Sequence, residues 1–504
     1  MVLVGLYFVL LVCLSVYGVH RTVLLYLYMT GRCRLRSSVS SKSVPDCSHV
    51  PWVTVQVPIF NERFVVERVI GAVARLRYPV GRLEVQVLDD STDETSRIAR
   101  AAVRQWRARG VSIRYYHRSS REGFKAGALA EGLRNANGEL VAVFDADFLP
   151  ACDFLECTVG VFNDPHVGMV QARWEHSNRH HSLLTRLQAL MLDGHFVLEH
   201  GGRYRGGCFF NFNGTAGVWR RAAIESVGGW HHDTLTEDLD LSYRAQLAGW
   251  RFVFLAEVVA PAELPIDMTA FKSQQHRWAK GSIQTCVKLL PAIMRARLPL
   301  RVKVEAFFHL TANFNYLLLL LLCVLIVPAL VVRSQLADPD VLLFLDIPLF
   351  FAAMLSVTNF YVTSQREISQ RWWRRARDIP ALLALSLGLA INNVVAVLEG
   401  LSSRTGEFRR TPKYGVISES PAAWRRTTYG QCVGWQVWAE LVFGAYFTGA
   451  ALFAVSIGFY LAVPVLVLFQ FGFLYVGMAS LTKQSAELVA RTQPLATEGV
   501  KSGA

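Results

Sequence analysis

The chain has 504 residues, of which 52% are apolar and only 18% are charged. Because soluble globular proteins are about one quarter charged, this composition excludes a mainly disordered, collagen-like or coiled-coil protein and indicates an integral membrane protein with a water-soluble part. The net charge of +13 is typical of Lys- and Arg-rich loops beside an anionic leaflet, so we expect no nucleic-acid partner. The nine cysteines have no metal-ligand spacing and are predicted to be reduced, as in the cytosol.

The N-terminal segment is predicted to be a transmembrane helix. Residues 1–30 are mostly apolar, and the basic residues Arg32, Arg34 and Arg36 follow the apolar run instead of preceding it. A secretory signal peptide has the opposite order, so we expect a retained helix whose C-terminal end lies in the cytosol. Residues 31–49 are predicted to be a polar, Ser-rich linker.

Residues 50–265 contain no stretch that is long and apolar enough to span a bilayer. Short strand-like runs alternate there with helix-like runs, such as 63–77, 94–109 and 125–136. This alternation predicts an α/β domain with a mostly parallel sheet. The predicted strands are Trp52–Ile59, Leu83–Leu88, Ser112–His117, Leu140–Phe144, Val167–Ala172 and Phe252–Leu255.

The segment 266–305 is basic and amphipathic. Between Lys272 and Lys303, basic and apolar side chains are interleaved and no acidic residue occurs. This pattern predicts amphipathic helices that lie on an anionic membrane face. A basic helix packed inside the soluble domain is the alternative interpretation.

The C-terminal part of the chain is strongly apolar. Residues 306–364 are predicted to contain two transmembrane helices, and residues 434–482 two more, which with the N-terminal helix makes five spans. Residues 365–433 are rich in basic side chains and are predicted to form a cytoplasmic interface segment, and residues 483–504 a cytoplasmic tail.

An apolar stretch, residues 378–400, interrupts the cytoplasmic segment. Because basic loops flank it on both sides, the positive-inside rule predicts that it does not cross the membrane once. Its polar residues Asn392, Asn393 and Glu399 are unfavourable in lipid and are expected to face protein or water. We therefore expect this stretch to lie in the interface or to re-enter.

Carboxylates follow two of the predicted strands. Asp89 and Asp90 come directly after the second strand, and Asp145 and Asp147 after the fourth. Ligands of open α/β sheets bind beyond the carboxyl ends of the strands, where carboxylates can accept hydrogen bonds from a nucleobase or ribose. Side chains two residues apart on an extended chain share a face, so Asp145 and Asp147 suit a hard divalent cation that would neutralise a diphosphate.

The sequence Thr236-Glu237-Asp238 begins a predicted helix over 237–248. A capping Thr236 and acidic residues in the first turn would stabilise such a helix without any catalytic role. A carboxylate at this position can also face a cleft and act as a general base.

Gln274, Arg277 and Trp278 lie in the basic amphipathic segment. Glutamine and arginine can bind sugar hydroxyls and phosphate, and a tryptophan ring can stack on a pyranose. Each of these residues taken alone is equally typical of packing.

In chain order, an Asp pair, a DxD, a TED and a QxxRW pattern in a membrane protein resemble the processive family 2 glycosyltransferases, which include the cellulose, hyaluronan and chitin synthases. The motifs are most similar to those of the cellulose-synthase-like glucan and mannan synthases. The resemblance covers about residues 50–300 and implies a GT-A-type, nucleotide-sugar-binding domain inserted between transmembrane helices. The matching runs are Val57–Glu62, Leu88–Asp93, Gly123–Leu129, Asp145–Asp147, Leu235–Leu241 and Gln274–Gly281.

The resemblance implies a role for each matching residue. Asp238 is expected to be the general base that deprotonates the acceptor hydroxyl, and Asp145 and Asp147 are expected to hold Mg²⁺ or Mn²⁺. The residues expected to contact the nucleotide sugar are Glu62, Asp89, Asp90, Lys125, Asp145 and Asp147. The residues expected to contact the acceptor and the diphosphate are Glu237, Gln274, Arg277 and Trp278.

A cytoplasmic loop with the pattern FxVTxK covers the donor in cellulose synthases, and residues 408–413 are similar to it. Phe408, Thr411 and Lys413 match the pattern, whereas Arg410 stands in place of the valine. The resemblance therefore implies a gating loop, with this departure.

The implied activity is processive, inverting synthesis of a β-linked glucan, mannan or glucomannan from UDP-glucose or GDP-mannose, with export through the membrane. The implied partners are the nucleotide-sugar donor, the growing polysaccharide and the bilayer; a homo-oligomer and accessory export subunits stay open. The catalytic domain is expected on the cytosolic side of a plasma or inner membrane. The alternatives are a family 2 enzyme that adds one or a few sugars to a lipid acceptor and a non-catalytic polysaccharide channel.

Overall fold

The computed structural model describes residues 2–31, 50–335, 343–402, 411–415 and 434–492. Within them, a seven-stranded sheet has the strand order β3-β2-β1-β4-β6-β5-β7. All neighbouring strands are parallel except the two pairs made by β6. The strands are β1 Val53–Ile59, β2 Leu83–Asp89, β3 Ile113–His117, β4 Leu140–Val143, β5 Val167–His176, β6 Gly217–Arg220 and β7 Arg251–Ala262.

The central strands are buried on both faces. Every residue of β1 and of β4 is buried, because helices cover both faces of a parallel sheet. Strand β4 is accordingly apolar throughout, whereas the buried Thr54 and Gln56 of β1 donate hydrogen bonds to Glu84 and Gln86 of β2. The predicted α/β class with a mostly parallel sheet is thereby confirmed. The helices of this domain are α2 Val66–Ala74, α3 Thr95–Ala108, α4 Phe124–Arg134, α5 Phe154–Thr158, a 3₁₀ turn Val159–Asn163, α6 Leu183–Gly194, a π-helix His195–His200, α7 Gly201–Gly206, α8 Arg221–Glu225 and α9 Glu237–Leu247.

Two strands differ from the prediction. The strand β6 is absent from the predicted set because its four residues follow a Gly-rich stretch and carry too little pattern to be recognised. The strand β7 continues to Ala262, well beyond the predicted Leu255, because its second half pairs with residues 173–176 of β5 after an irregularity in the register. Both differences arise from pairing with distant strands.

The remaining helices are long and mostly apolar. Among the described residues, four helical segments are long and apolar enough to cross a membrane: Val2–Thr30, Phe314–Val332, Trp435–Ser456 and Tyr460–Leu481. The helices are α1 Val2–Thr30, α10 Met268–Arg295, α11 Leu300–Thr311, α12 Phe314–Ser334, α13 Leu343–Ile368, α14 Trp372–Ala376, α15 Ile379–Gly388, α16 Ala390–Leu401, α17 Trp435–Ser456, a 3₁₀ turn Tyr460–Ala462 and α18 Val463–Thr492.

Helix α13 occupies the position of the second predicted central span. It packs along α1, where Thr22 and Ser356 share a hydrogen bond of 2.6 Å and the hydroxyl of Tyr28 donates to Glu367 over 2.7 Å. It is not one of the four segments above, so the count of five spans stays a prediction.

The segment predicted not to cross once is a bent helical pair. The helical stretch Trp372–Gly388 meets α16 at 47°, which suits either a broken span or a re-entrant pair. Asn392 and Asn393 are buried, and Nδ2 of Asn392 donates to the carbonyl of Lys272 over 3.0 Å. These amides therefore face protein, as the sequence argument requires.

Two lysines of helix α10 pair with acidic residues of the apolar helices. Lys272 Nζ lies 2.6 Å from Oε1 of Glu440 on α17, and Lys280 Nζ lies 3.0 Å from Oε2 of Glu399 on α16. Two of its lysines are thus buried against carboxylates of the apolar helices instead of facing lipid headgroups. The position of this helix at a membrane face stays a prediction.

This packing predicts a stability effect. Replacing Lys272 by methionine should lower the free energy of unfolding by about 3–5 kcal/mol, because Glu440, which is fully buried, keeps its charge without a partner. Thermal unfolding of the detergent-solubilised protein would measure the loss. The double variant K272M/E440Q should recover most of it, and K303M on α11 is the control. A K272M variant as stable as the wild type would contradict the assignment of this pair.

Candidate functional site

The site lies at the carboxyl ends of the central strands. Successive strands run outward from β1 through β2 to β3, and the chain then returns to the other side of β1 with β4. This reversal opens a crevice beyond the strand ends, where ligands of open α/β sheets bind. A cavity of about 170 Å³ occupies this crevice.

The structure brings most of the predicted site residues to this one cavity. Those that line it are Glu62, Asp90, Lys125, Asp145, Asp147, Glu237, Asp238, Gln274, Arg277, Trp278, Thr411 and Lys413. Asp89 is not among the lining residues, and Phe408 lies outside the described part of the chain.

Asp89 points away from the cavity. Its Oδ1 accepts a hydrogen bond of 2.8 Å from the amide of Ser91, and its Oδ2 accepts one from the hydroxyl of Tyr115. Consecutive residues of a strand face opposite sides, so Asp89 and Asp90 cannot both line the same surface. The predicted donor contact of Asp89 is therefore wrong for this cavity, whereas that of Asp90 stays a prediction.

A salt bridge fixes the carboxylate of Asp90. Arg118 Nε lies 2.7 Å from Oδ1 of Asp90 and Nη2 lies 2.5 Å from Oδ2, a bidentate arrangement. The same guanidinium donates to the carbonyl of Phe124 over 2.9 Å. Arg118 thus connects the end of β2 to the start of α4, and no sequence pattern indicated this role.

Lys125, on the first turn of α4, lies between acidic side chains of two other segments. Its Nζ is 2.6 Å from Oδ1 of Asp145 and 3.9 Å from Oε1 of Glu237, and it donates to the carbonyl of Gly214 over 2.9 Å. Burial opposes the charged form of Lys125, but Asp145 and Glu237 outweigh it and raise the pKa of the ammonium group. Lys125 therefore supplies a partly buried positive charge to the cavity.

Asp145 and Asp147 follow β4 directly and both line the cavity. Asp147 is buried, and its Oδ2 lies 2.6 Å from Nζ of Lys413. Two carboxylates that line one cavity offer the hard oxygen ligands that Mg²⁺ and Mn²⁺ prefer. The residues present therefore fit a divalent cation, which Asp145 and Asp147 would hold in place of their present partners Lys125 and Lys413.

Asp238 lies in the first turn of α9. Its Oδ1 accepts a hydrogen bond of 2.8 Å from the amide of Leu239, and a Cβ on Gly214, whose φ is +79°, would come within 3.0 Å of its Oδ2. Gly214 thus allows the backbone to approach the carboxylate closely. Burial and the neighbouring carboxylate of Glu237 raise the pKa of Asp238 to about 7, against the effect of Lys125.

Thr236 does not cap α9 as the sequence suggested. Its hydroxyl lies 3.2 Å from Oγ1 of Thr285 on α10, and it makes no capping hydrogen bond. A second glycine permits this contact, because a Cβ on Gly281 would come within 2.6 Å of the Thr236 methyl group. Thr236 therefore joins α9 to α10 and sets the relative position of Asp238 and the QxxRW residues.

Gln274, Arg277 and Trp278 share one face of α10, because residues three and four apart lie side by side on a helix. The helix begins at a clear cap, where Asp267 Oδ1 accepts from the amide of Ala270 over 2.8 Å. Trp278 packs against the buried side chains of Leu192 and Leu264. Burial lowers the pKa of Arg277 although Glu237 and Asp145 oppose this.

Several further residues line the cavity without having been indicated by sequence motifs. They are His176, Asn213, Arg121 and Glu263. The guanidinium of Arg121 lies over the ring of Phe60, 3.5 Å from its centroid. The run Glu263-Leu264-Pro265 follows β7 directly and lines the cavity. The only indication of Glu263 in the sequence is therefore a carboxylate at the end of a strand.

The fold and the site define a glycosyltransferase domain of the GT-A type flanked by apolar helices. Residues 51–281 match the family model described as glycosyltransferase like family 2, in agreement with the family that the motifs resemble.

The relatives agree with a cellulose-synthase-like glucan or mannan synthase. The chain is 45% identical over 253 residues to glucomannan 4-beta-mannosyltransferase 2 of Arabidopsis thaliana, covering 49% of this chain and 47% of that protein. It is 44% identical over 272 residues to glucomannan 4-beta-mannosyltransferase 1 of Oryza sativa subsp. japonica, covering 53% and 52%. The chain thus spans about half the length of the curated relatives it matches.

A solved structure is similar to a larger part of the chain. It is the mannosyltransferase PcManGT from Pyrobaculum calidifontis in complex with GDP-Man and Mn2+, at 22% identity and a TM-score of 0.49. The similarity covers 77% of this chain and 99% of that one.

Proposed function

We propose that this protein is an inverting mannosyltransferase that extends a β-1,4-linked mannan or glucomannan from GDP-mannose. The observation that carries the proposal is the single cavity in which Asp90, Lys125, Asp145, Asp147 and Asp238 meet Trp278. This set combines groups that can bind a nucleotide diphosphate, hold a metal ion, act as a general base and stack on a sugar ring. The names of the relatives support mannose as the transferred sugar and position 4 as its attachment point.

The donor side is assigned to the strand ends. Asp90, fixed by Arg118, would accept hydrogen bonds from the nucleoside together with Glu62. Lys125 and Arg277 would contact the diphosphate, whose negative charge suits two partly buried cations in one cavity. Asp145 and Asp147 would hold Mg²⁺ or Mn²⁺, which neutralises charge on the leaving diphosphate when bound.

The acceptor side is assigned to α9 and α10. Trp278 and Gln274 would hold the terminal sugar of the growing chain, with Glu237 nearby. Asp238 takes the proton of the acceptor hydroxyl as that oxygen bonds to the anomeric carbon, and the bond from this carbon to the diphosphate breaks. Because the attack replaces an α-linked leaving group from the opposite side, the product is β-linked.

A panel of nucleotide sugars tests this function. Membranes that contain the protein should incorporate radiolabel from GDP-mannose into a polymer, whereas membranes with the Asp238→Asn variant should not. Label incorporated from UDP-glucose alone would keep the enzyme class and overturn the choice of mannose. Absence of incorporation from every nucleotide sugar tested, with intact protein present, would contradict the function.

The raised pKa of Asp238 predicts a pH profile. Asp238 accepts a proton only when it is ionised, and its pKa is about 7, so activity should be lost as the pH falls through that value. The ratio kcat/KM, which reports the free enzyme, should fall about tenfold per pH unit below the pKa and level off above it. A profile that stays flat from about pH 5 to about pH 9 would contradict the role of Asp238.

The position of Trp278 predicts an effect on the acceptor. Replacing Trp278 by alanine should slow chain elongation by about tenfold or more, the loss expected for an aromatic platform, while GDP binding changes little. Elongation is read from product length and GDP binding from calorimetry. Trp373, an exposed residue of α14, is the matched control. An equal loss of GDP affinity would instead assign Trp278 to the donor site.

We further propose that the apolar helices hold the catalytic domain at the cytosolic face and give the polymer a path outward. The proposed divisions are residues 50–265 for the glycosyltransferase domain, 266–305 for the helices that carry QxxRW, and 1–30, 306–364 and 434–482 for the membrane part. The cytosolic supply of nucleotide sugars and the basic segment 365–433 support this orientation.

A further inference from the structure

The segment 411–415 reaches the cavity and ends on one buried carboxylate. Glu263 Oε1 accepts a hydrogen bond of 2.9 Å from the amide of Tyr414, and Oε2 accepts one of 2.9 Å from the amide of Gly415. The side chain of Glu263 is only 1% exposed. Each oxygen of this carboxylate thus holds one of two consecutive backbone amides.

The backbone of the segment is shaped for this contact. Gly415 has a φ of +70°, in the left-handed region that favours glycine. Successive amides in such a conformation converge and form a concave anion site. A Cβ on Gly415 would also approach the carbonyl oxygen of Phe64 to 3.0 Å, so a larger residue meets both backbone strain and a close contact.

Glu263 also holds the side chain of Lys413. Its Nζ donates to the carbonyl oxygen of Glu263 over 2.7 Å and lies 2.6 Å from Oδ2 of Asp147. The amide of Glu263 donates to that same Oδ2 over 3.3 Å. Glu263 therefore contacts the segment through its carboxylate and its carbonyl, and contacts the DxD through its amide.

A second polar group of the segment faces the cavity. Thr411 lines it and is buried, and among the described residues its hydroxyl has no hydrogen-bond partner. Arg68 of α2 also pairs with this carboxylate, with its Nη2 3.8 Å from Oε2 of Glu263. The seated segment therefore presents Thr411 and Lys413 to the cavity.

We propose that Glu263 is a positioning residue that seats the segment 411–415 through the amides of Tyr414 and Gly415 and so places Lys413 and Thr411 over the donor pocket. The effect of this seat on the donor rests on the function proposed above. The seat itself rests only on the contacts of Glu263, so it is tested without any turnover.

Trypsin cleavage tests the contact between Glu263 and the segment directly. Trypsin cleaves the bond between Lys413 and Tyr414 only when Lys413 is released from this contact. In the full-length protein, Glu263→Gln should accelerate this cleavage about tenfold or more, since the amide cannot replace a charged acceptor for two backbone amides. Gly415→Ala should do the same from the other side of the contact. The matched controls are Glu257→Gln, an exposed acid of β7, and Gly110→Ala, a glycine with φ +86° and open space around its Cβ; both should be cleaved at the wild-type rate.

The rates of trypsin cleavage distinguish the possible outcomes. Acceleration in both test variants, with unchanged melting temperature and unchanged cleavage elsewhere, supports the seat. Cleavage of folded Glu263→Gln at the wild-type rate overturns it. If the buried substitution unfolds the protein, Gly415→Ala decides alone, because it alters only the segment: acceleration supports the seat and the wild-type rate overturns it.

A kinetic measurement tests what the seat does for the donor. In Glu263→Gln the KM for GDP-mannose should rise about tenfold while kcat changes less, a split that general loss of structure would not produce. An equal loss of kcat with unchanged KM would overturn the positioning role. Failure of all nucleotide sugars to react in the wild type would remove the proposed function and leave the tryptic result to decide the seat.

Discussion

Replacement of Asp238 by asparagine is expected to reduce sugar transfer by about 10²–10⁴-fold, the usual contribution of a positioned general base. Asparagine keeps the size of the side chain and can still accept from the amide of Leu239, but it cannot take the proton of the acceptor hydroxyl. Binding of GDP should survive, because the proposed nucleoside contacts lie at Asp90 and Glu62. Transfer is measured by incorporation of radiolabelled mannose, and binding by calorimetry on the same preparation.

The control for this result is Asp233→Asn. Asp233 lies close to α9 in the chain, but its side chain is 58% exposed and pairs with Lys288 outside the cavity. The control should transfer sugar at about the wild-type rate. Near-normal turnover in the Asp238→Asn variant would remove Asp238 as the base and leave the acidic first turn of α9 with a structural role.

Loss of the divalent cation is expected to be nearly as severe. Replacing Asp147 by alanine should reduce transfer by roughly 10³-fold, because a metal that neutralises a leaving diphosphate is worth several kcal/mol. The remaining activity should no longer respond to added Mg²⁺ or Mn²⁺, since one of two carboxylate ligands is gone. Chelation of the wild-type protein with EDTA should produce the same loss, and added metal should reverse it.

Metal binding itself gives an independent measurement. Titration of the wild type with Mn²⁺, followed by the signal of the free ion, should detect a site that Asp147→Ala weakens and Glu257→Ala, the exposed control on β7, leaves unchanged. Full transfer in the presence of excess EDTA would contradict the role assigned to Asp145 and Asp147.

The local parts of the site could be predicted from sequence. An apolar run followed by Asp145 and Asp147 identifies the end of a buried strand, and the helical spacing of Gln274, Arg277 and Trp278 identifies one face of a helix. In each case the pattern lies within one element, so periodicity and chemistry together were sufficient. The exception was Asp89, where the choice between two adjacent carboxylates depends on which face of β2 packs against Tyr115.

The contacts between distant segments could not be predicted in this way. Lys272 and Glu440 are separated by 168 residues and Lys413 and Asp147 by 266 residues. No periodicity connects such positions, and only the folded chain shows that a lysine in a basic helix neutralises an acid in an apolar one. The same reason hid Glu263, whose partners are backbone amides and therefore leave no mark in the sequence of the segment it holds.

The cavity is proposed to build a β-linked polymer of mannose. The most direct test is linkage and length analysis of the product that the purified protein forms from radiolabelled GDP-mannose. We predict a long product that is insoluble in organic solvent and is cleaved by an enzyme specific for β-1,4-linked mannose. A product that partitions into organic solvent as a lipid carrying a single sugar would contradict this claim.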